Sequence, residues 1–138
     1  MFKSNTNVKV RYAETDKMGI VYHSNYYIYF EVAREDFIKE AGISYKDMEN
    51  VGVMMPIVET RCKYHDAATY ADELTIQTSL KELSPIKVVL KYDVIRKTDN
   101  KVIADGETTQ TFVSNNTFKI VNLKRKYTEI WDKICALK

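Results

Sequence analysis

The stretch Tyr12-Ala-Glu-Thr-Asp16-Lys-Met-Gly19-Ile-Val-Tyr22-His23-Ser-Asn25-Tyr26 gathers the residue types that can do chemistry. Asp16 is a carboxylate outside any periodic element, and His23 stands just before a run with helical spacing. A loop carboxylate beside a helix N-terminus brings a base to a place where free backbone N–H groups can stabilise an oxyanion. A base and an oxyanion site are the two parts that acyl transfer requires. Each residue also has a plainer use. An aspartate followed by glycine suits a turn, a histidine suits a helix start, and a strand tyrosine such as Tyr12 suits packing with its hydroxyl satisfied.

Other chemistries lack their residues. His23, Cys62, His65 and Cys135 do not have zinc-site spacing, so neither a metal nor another cofactor is expected. The four glycines, at 19, 42, 52 and 106, form no phosphate-cradling or dinucleotide pattern. No Gly-x-Ser-x-Gly elbow occurs. Lys plus Arg number 21 and Asp plus Glu 19, and this near balance offers no field for drawing in nucleic acid. The run Lys124, Arg125, Lys126 is local and decorates a solvated helix start. Two cysteines outside any CxxC, with no apolar leader at Met1-Phe2-Lys3-Ser4-Asn5, predict a reducing, cytoplasmic setting. Charges interrupt every hydrophobic stretch before the ~18 residues a membrane helix needs. With no repeat or Gly/Ser linker, residues 1–138 are expected to form a single domain.

The elements that must position Asp16 and His23 follow from periodicity. Asn7 to Tyr12 alternates, with Val8 and Val10 on one side, and predicts a first strand. Residues 13–23 lose periodicity and read as a structured loop, with Ser24 as N-cap. Tyr26, Phe30, Ala33, Phe37 and Ala41 predict a helix over residues 25–41, closed by Gly42. Its aromatic first turns predict a helix wrapped on more than one side, and Glu31 with Arg34 predicts a surface ion pair. A loop surrounds Asn50-Val51-Gly52. Strands are expected over 56–65, 73–83, 86–97 and 101–114, paired antiparallel through short turns. Tyr127, Ile130, Trp131 and Ile134 predict a short C-terminal helix. The order gives an α+β fold in which one helix fills a sheet of about five strands. Open sheet edges and surplus aromatics at the helix start predict self-association.

The segment from Tyr12 to Tyr26 closely resembles the active-site segment of the 4-hydroxybenzoyl-CoA thioesterase family, especially its YbgC-type acyl-CoA thioesterase branch, with its T/C-D-x-x-G-x-V-x-x-x-N-Y pattern. The likeness runs on through Glu31 and Arg34, Pro56-Ile57-Val58 and Asp72-Glu73-Leu74, from Asn7 to Trp131. It implies a hotdog fold and hydrolysis of an acyl-coenzyme A thioester. By the same resemblance, the catalytic carboxylate falls on Asp16, the helix-start histidine on His23, and a branch tyrosine on Tyr12, which would hold Asp16 or line the acyl pocket. It also implies a homodimer or homotetramer with active sites at the subunit seam. The coenzyme A phosphates would lie near basic residues, for which Lys87 and Lys91 are candidates, although a solvated sheet face explains them equally. Two rivals share the scaffold: hydrolysis of an acyl carrier protein thioester, with the Lys124 to Lys126 run meeting that acidic partner, and a module that binds acyl-CoA without cleaving it.

Overall fold

The computed structural model describes residues 1–138. Five strands, β1 (Lys3–Lys9), β3 (Ile57–Tyr64), β4 (Glu73–Ser84), β5 (Lys87–Arg96) and β6 (Lys101–Thr111), form one antiparallel sheet in the order β1-β4-β5-β6-β3. Helix α1 (Asn25–Glu40) packs on one face, closest to β1 and β4. The α+β expectation and the five-stranded sheet are therefore met. No helix is long and apolar enough to cross a membrane.

Alternation made the central strands readable. Leu74, Ile76, Thr78 and Leu80 of β4 and Val88, Leu90, Tyr92 and Val94 of β5 all point into the core, while Lys91 and Asp93 face outward. The first strand lies earlier than its apolar residues suggest, at Lys3–Lys9 and not 7–12. Its inward positions begin with Ser4 and Thr6, both buried, and Thr6 Oγ1 donates to Asp36 Oδ2 of α1 at 2.7 Å. Polar inward residues hide a strand from a hydrophobic pattern. Past β1 the chain turns, so Tyr12 opens a 3-10 turn (Tyr12–Glu14) and is not a strand residue.

Further boundaries moved for local reasons. Helix α2 (Tyr45–Val51) replaces part of the expected loop. Ser44 caps it by accepting from the Asp47 amide at 3.1 Å, and Gly52, at φ +104°, ends it in the left-handed conformation. Ser24 is no such cap, since its backbone is helical and its side chain accepts nothing. The last predicted strand breaks at the buried Phe112, leaving β7 (Val113–Ser114) to pair with β2 (Val53–Met54). The tail divides into α3 (Leu123–Lys126) and α4 (Thr128–Cys135).

Helix α1 is half wrapped. Tyr26, Tyr29, Phe30, Ala33 and Phe37 are buried, whereas Ile28 and Val32 stay 50% and 42% exposed on the flank nearer solvent. Arg34 makes no ion pair with Glu31. It turns inward, and its Nη1 donates to the Tyr92 hydroxyl at 3.3 Å.

The helix meets the sheet most tightly at Phe30. Its ring stacks on Tyr92 with centroids 4.4 Å apart and planes 10° from parallel. The space comes from Gly106, which pairs with Tyr92 on one side and Cys62 on the other. A Cβ there would lie 2.6 Å from Phe30 Cε2 and 2.5 Å from the Arg61 carbonyl oxygen. Gly106→Ala should destabilise the fold by about 3 kcal/mol through overpacking. Urea unfolding followed by circular dichroism should show a lowered midpoint with an unchanged slope.

Candidate active site

The loop between β1 and α1 is organised by a carboxylate that is not Asp16. Glu14 is buried, and its side chain accepts from the Arg11 amide at 2.8 Å, Arg11 Nη2 at 3.2 Å and the Tyr29 hydroxyl at 3.0 Å. Its carbonyl oxygen accepts from the Tyr22 amide at 2.9 Å and from Asn25 Nδ2 at 2.8 Å. One residue thus ties the end of β1, the returning arm of the loop and the start of α1. Neighbour spacing in the sequence gives little warning of it, because its partners are assembled only by the fold. The one local signal is that Asn25 and Tyr29 are four apart and so share a helix face.

From Glu14 the chain makes a tight hairpin. Thr15 bridges Val21, and the Asp16 amide donates to the Ile20 carbonyl at 2.9 Å. Gly19, at φ +81°, allows the reversal. Asp16 sits at the turn, half-buried, and its Oδ1 accepts from the Met18 amide at 2.8 Å. Oδ2 accepts from no group of the chain, so one oxygen is oriented while the other is free to take a proton or meet a carbon.

The returning arm delivers His23. Tyr22 donates back to Glu14, Asn25 donates to the Tyr22 carbonyl, and Tyr26 and Tyr27 donate to the carbonyls of His23 and Ser24. The amides of His23 and Ser24 have no acceptor within the chain. They are the open N–H groups of the helix start. The His23 ring is exposed and packs on Tyr22 with centroids 4.3 Å apart, and Tyr64 of β3 donates to the His23 carbonyl at 3.1 Å.

The hairpin is stitched to the loop that precedes β4. Ile20 bridges Thr69, and the Val21 amide donates to the Ala68 carbonyl at 2.9 Å. That loop is clamped in turn, since Arg96 reaches both Asp66 and the Ala67 carbonyl and Lys101 also reaches Asp66. Lys101, the Ala67 amide and Arg96 hold the Asp66 carboxyl well below the usual carboxylate range.

Asp16 and His23 therefore lie on the two hydrogen-bonded arms of one hairpin. Tyr12 does not join them. It is 77% exposed, makes no hydrogen bond to Asp16 and meets Tyr70 edge-on at 5.7 Å. Lys87 and Lys91 are engaged locally with Glu82 at 3.0 Å and Asp93 at 3.8 Å. Three tyrosines and one cysteine nearby are held protonated at neutral pH. Burial pushes Tyr26 up to about 12. Tyr29 goes higher still through burial and then its bond to Glu14. Tyr64 is raised by burial and then by Cys62. Burial also pushes the Cys62 thiol up to about 11. Tyr29 and Tyr64 donate hydrogen bonds, and none of the four is poised as a base or nucleophile.

Comparison with known proteins identifies the family and the fold. Residues 10–131 match the model of the thioesterase-like superfamily. The acyl-CoA thioesterase YbgC of Helicobacter pylori is 32% identical over 114 residues, covering 83% of this chain and 83% of that protein. The DHNA-CoA thioesterase of Staphylococcus aureus has a TM-score of 0.90 at 35% identity, over 99% of this chain and 93% of that one. A hypothetical protein of Thermus thermophilus gives 0.89 at 33%, over 99% and 98%. With the family model spanning most of its length and close structural neighbours along all of it, the chain belongs to the thioesterase-like superfamily and has the hotdog fold.

Proposed function

We propose that this protein hydrolyses the thioester of an acyl-coenzyme A to a free acid and coenzyme A, with Asp16 as the reacting carboxylate. The observation that carries the reading is the hairpin: a carboxylate with one oxygen pinned and one free on one arm, and a helix start with two open amides at the end of the other. The acyl-CoA thioesterase relative and the DHNA-CoA thioesterase neighbour support the substrate class.

The chemistry needs few groups. The open amide of His23 polarises the thioester carbonyl and takes up the charge that develops on its oxygen. In one route Asp16 Oδ2 removes a proton from water, whose oxygen bonds to the carbonyl carbon. In the other, Oδ2 itself bonds to that carbon and water then cleaves the mixed anhydride. Either way the C–S bond breaks and sulfur leaves as a thiolate, which a thiol pKa near ~8.5 makes easy without a strong acid. The His23 imidazole, exposed beside the same amide, orients water or substrate. Tyr12, turned outward in a single chain, contributes to the acyl pocket only where a second subunit covers it.

A homodimer fits the exposed surfaces. Strand β3 is an edge with only β6 beside it, and its Ile57 and Val58 are 40% and 60% exposed. The Ile28 and Val32 flank of α1 is also uncovered. Pairing of two β3 strands about a two-fold axis would close both edges and let a second α1 cover that flank.

Asp16→Asn should keep the circular dichroism spectrum and cut thiol release from acyl-CoA by on the order of a hundredfold or more. Undiminished release would remove Asp16 from the reaction. A single turnover in ¹⁸O-water tests the anhydride route, because water attacking the Asp16 carboxyl carbon of the anhydride leaves label in Asp16, which the general-base route never does. Cys62 should resist iodoacetamide at pH 8, where about one thiol in a thousand is ionised, and react readily once urea unfolds the chain. Charging the seam with Ile28→Asp and Val58→Asp together should shift sedimentation from the mass of two or more chains to that of one. An unmoved sedimentation coefficient would place the interface elsewhere.

A further inference from the structure

Two successive peptides carry the open amides of the helix start. The carbonyl of the Tyr22–His23 peptide accepts from the Asn25 amide at 2.9 Å, and that of the His23–Ser24 peptide accepts from the Tyr26 amide at 3.3 Å. Both carbonyls therefore face the body of α1. Every peptide in the chain is trans, and in a trans peptide the N–H points opposite to the C=O. The amides of His23 and Ser24 consequently both point back out of the helix start, toward the same side. The two are not held equally. A bond of 3.3 Å lies just past the usual range of about 2.7–3.2 Å, so the second peptide is the looser. It is also the one that a side chain supports: the Tyr64 hydroxyl donates to the His23 carbonyl at 3.1 Å, and no side chain reaches the Tyr22 carbonyl.

Tyr64 is well placed for this. It is the last residue of β3, paired with Ala104 of β6, and the following amide, of His65, donates to the Ile103 carbonyl at 2.8 Å. Its ring packs edge-on against Tyr26 of α1, with centroids 5.2 Å apart and planes at 75°. Strand and helix thus fix the ring from two sides, and the hydroxyl is carried to the peptide on rigid elements. A carbonyl that accepts a hydrogen bond draws charge from its own N–H, which becomes the stronger donor. We propose that Tyr64 is a positioning residue of the oxyanion site: by holding the His23 carbonyl it aims and polarises the Ser24 amide, which joins the His23 amide as a second donor to the thioester oxygen. Tyr64 touches no reacting atom and acts only through this peptide. The role deepens the hydrolase reading above and rests on it. A tie that served the fold alone would add stability and leave turnover unchanged.

Tyr64→Phe keeps the ring and its packing on Tyr26 and removes one donor. For thiol release from acyl-CoA, kcat should fall about tenfold, less than the roughly hundredfold of a lost direct donor, while KM stays within about twofold. A spectroscopic reading separates this from a general loosening. An acyl-CoA labelled with ¹³C at the thioester carbonyl is bound to Asp16→Asn, which does not turn it over, and its carbonyl band is followed by infrared difference spectroscopy. The band should lie lower than in water and should move back toward the free position when Tyr64→Phe is added. An unchanged kcat, even with a lowered thermal midpoint, or an unmoved band overturns the inference and leaves the hydrolase reading standing. If the wild type releases no thiol, the hydrolase reading fails, and the same band compared between wild type and Tyr64→Phe still decides whether Tyr64 polarises a bound carbonyl: movement supports it, and none overturns it.

Discussion

The buried carboxylate of Glu14 is the contact on which the geometry of the candidate site depends. It gathers hydrogen bonds from Arg11 at the end of β1 and from Tyr29 on the first turns of α1, while its carbonyl holds Tyr22 and Asn25. A carboxylate taken out of water is tolerated only when its oxygens are satisfied, and each bond to a charged acceptor contributes about 1.5–3 kcal/mol. Loosening any one partner would leave the others with a poorly compensated charge, so the three segments are held as a unit. Asp16 and the open amides near His23 inherit their relative position from this clasp, whose carboxylate takes no part in the proposed reaction. The candidate reacting groups, half-buried Asp16 and exposed His23, are thus set on a rigid base.

A second constraint acts through α1. Its inner face is fixed by Phe30, wedged between Tyr92 and the bare backbone at Gly106. The helix lies nearest β1 and β4, and β3, at the far edge of the same sheet, is left largely exposed. Ile28, Val32 and Val58 are exposed there, and the end of β3 reaches the catalytic loop through Tyr64. The free sheet edge and the uncovered helix flank both follow from one off-centre helix.

Much of this was legible in the sequence. Strands β4 and β5 announced themselves because their inward positions are apolar or a threonine and most outward ones are polar or charged, Val89 and Ile95 of β5 excepted. The place of Asp16 and His23 between strand and helix was readable from the loss of periodicity and from the Asp16 to Tyr26 pattern. What escaped has a common cause. β1 starts with Ser4 and Thr6 facing inward, α2 is too short to show a period although Ser44, Asp47 and Gly52 mark its ends, and Arg34 was paired with Glu31 by surface rules that do not hold for a buried side chain. Glu14 likewise looks like any loop glutamate until its partners converge. Hydrophobic pattern locates what the core excludes from water, and it is blind to polar groups buried because something across the fold satisfies them.

The tyrosines show how such burial is managed. Ten occur in the chain, and those around the site work at both ends of the ring. Tyr29 packs in the core and donates to Glu14, Tyr64 packs on Tyr26 and donates to the His23 carbonyl, and Tyr92 stacks under Phe30 while its hydroxyl pairs with Thr108. A phenylalanine in any of these places would fill the space and leave an acceptor bare. Because burial raises the phenols of Tyr26, Tyr29 and Tyr64, they remain donors throughout the physiological range and cannot compete with a carboxylate as base. The same burial that makes the scaffold rigid therefore leaves Asp16 and the exposed ring of His23 as the candidate reactive groups of the loop.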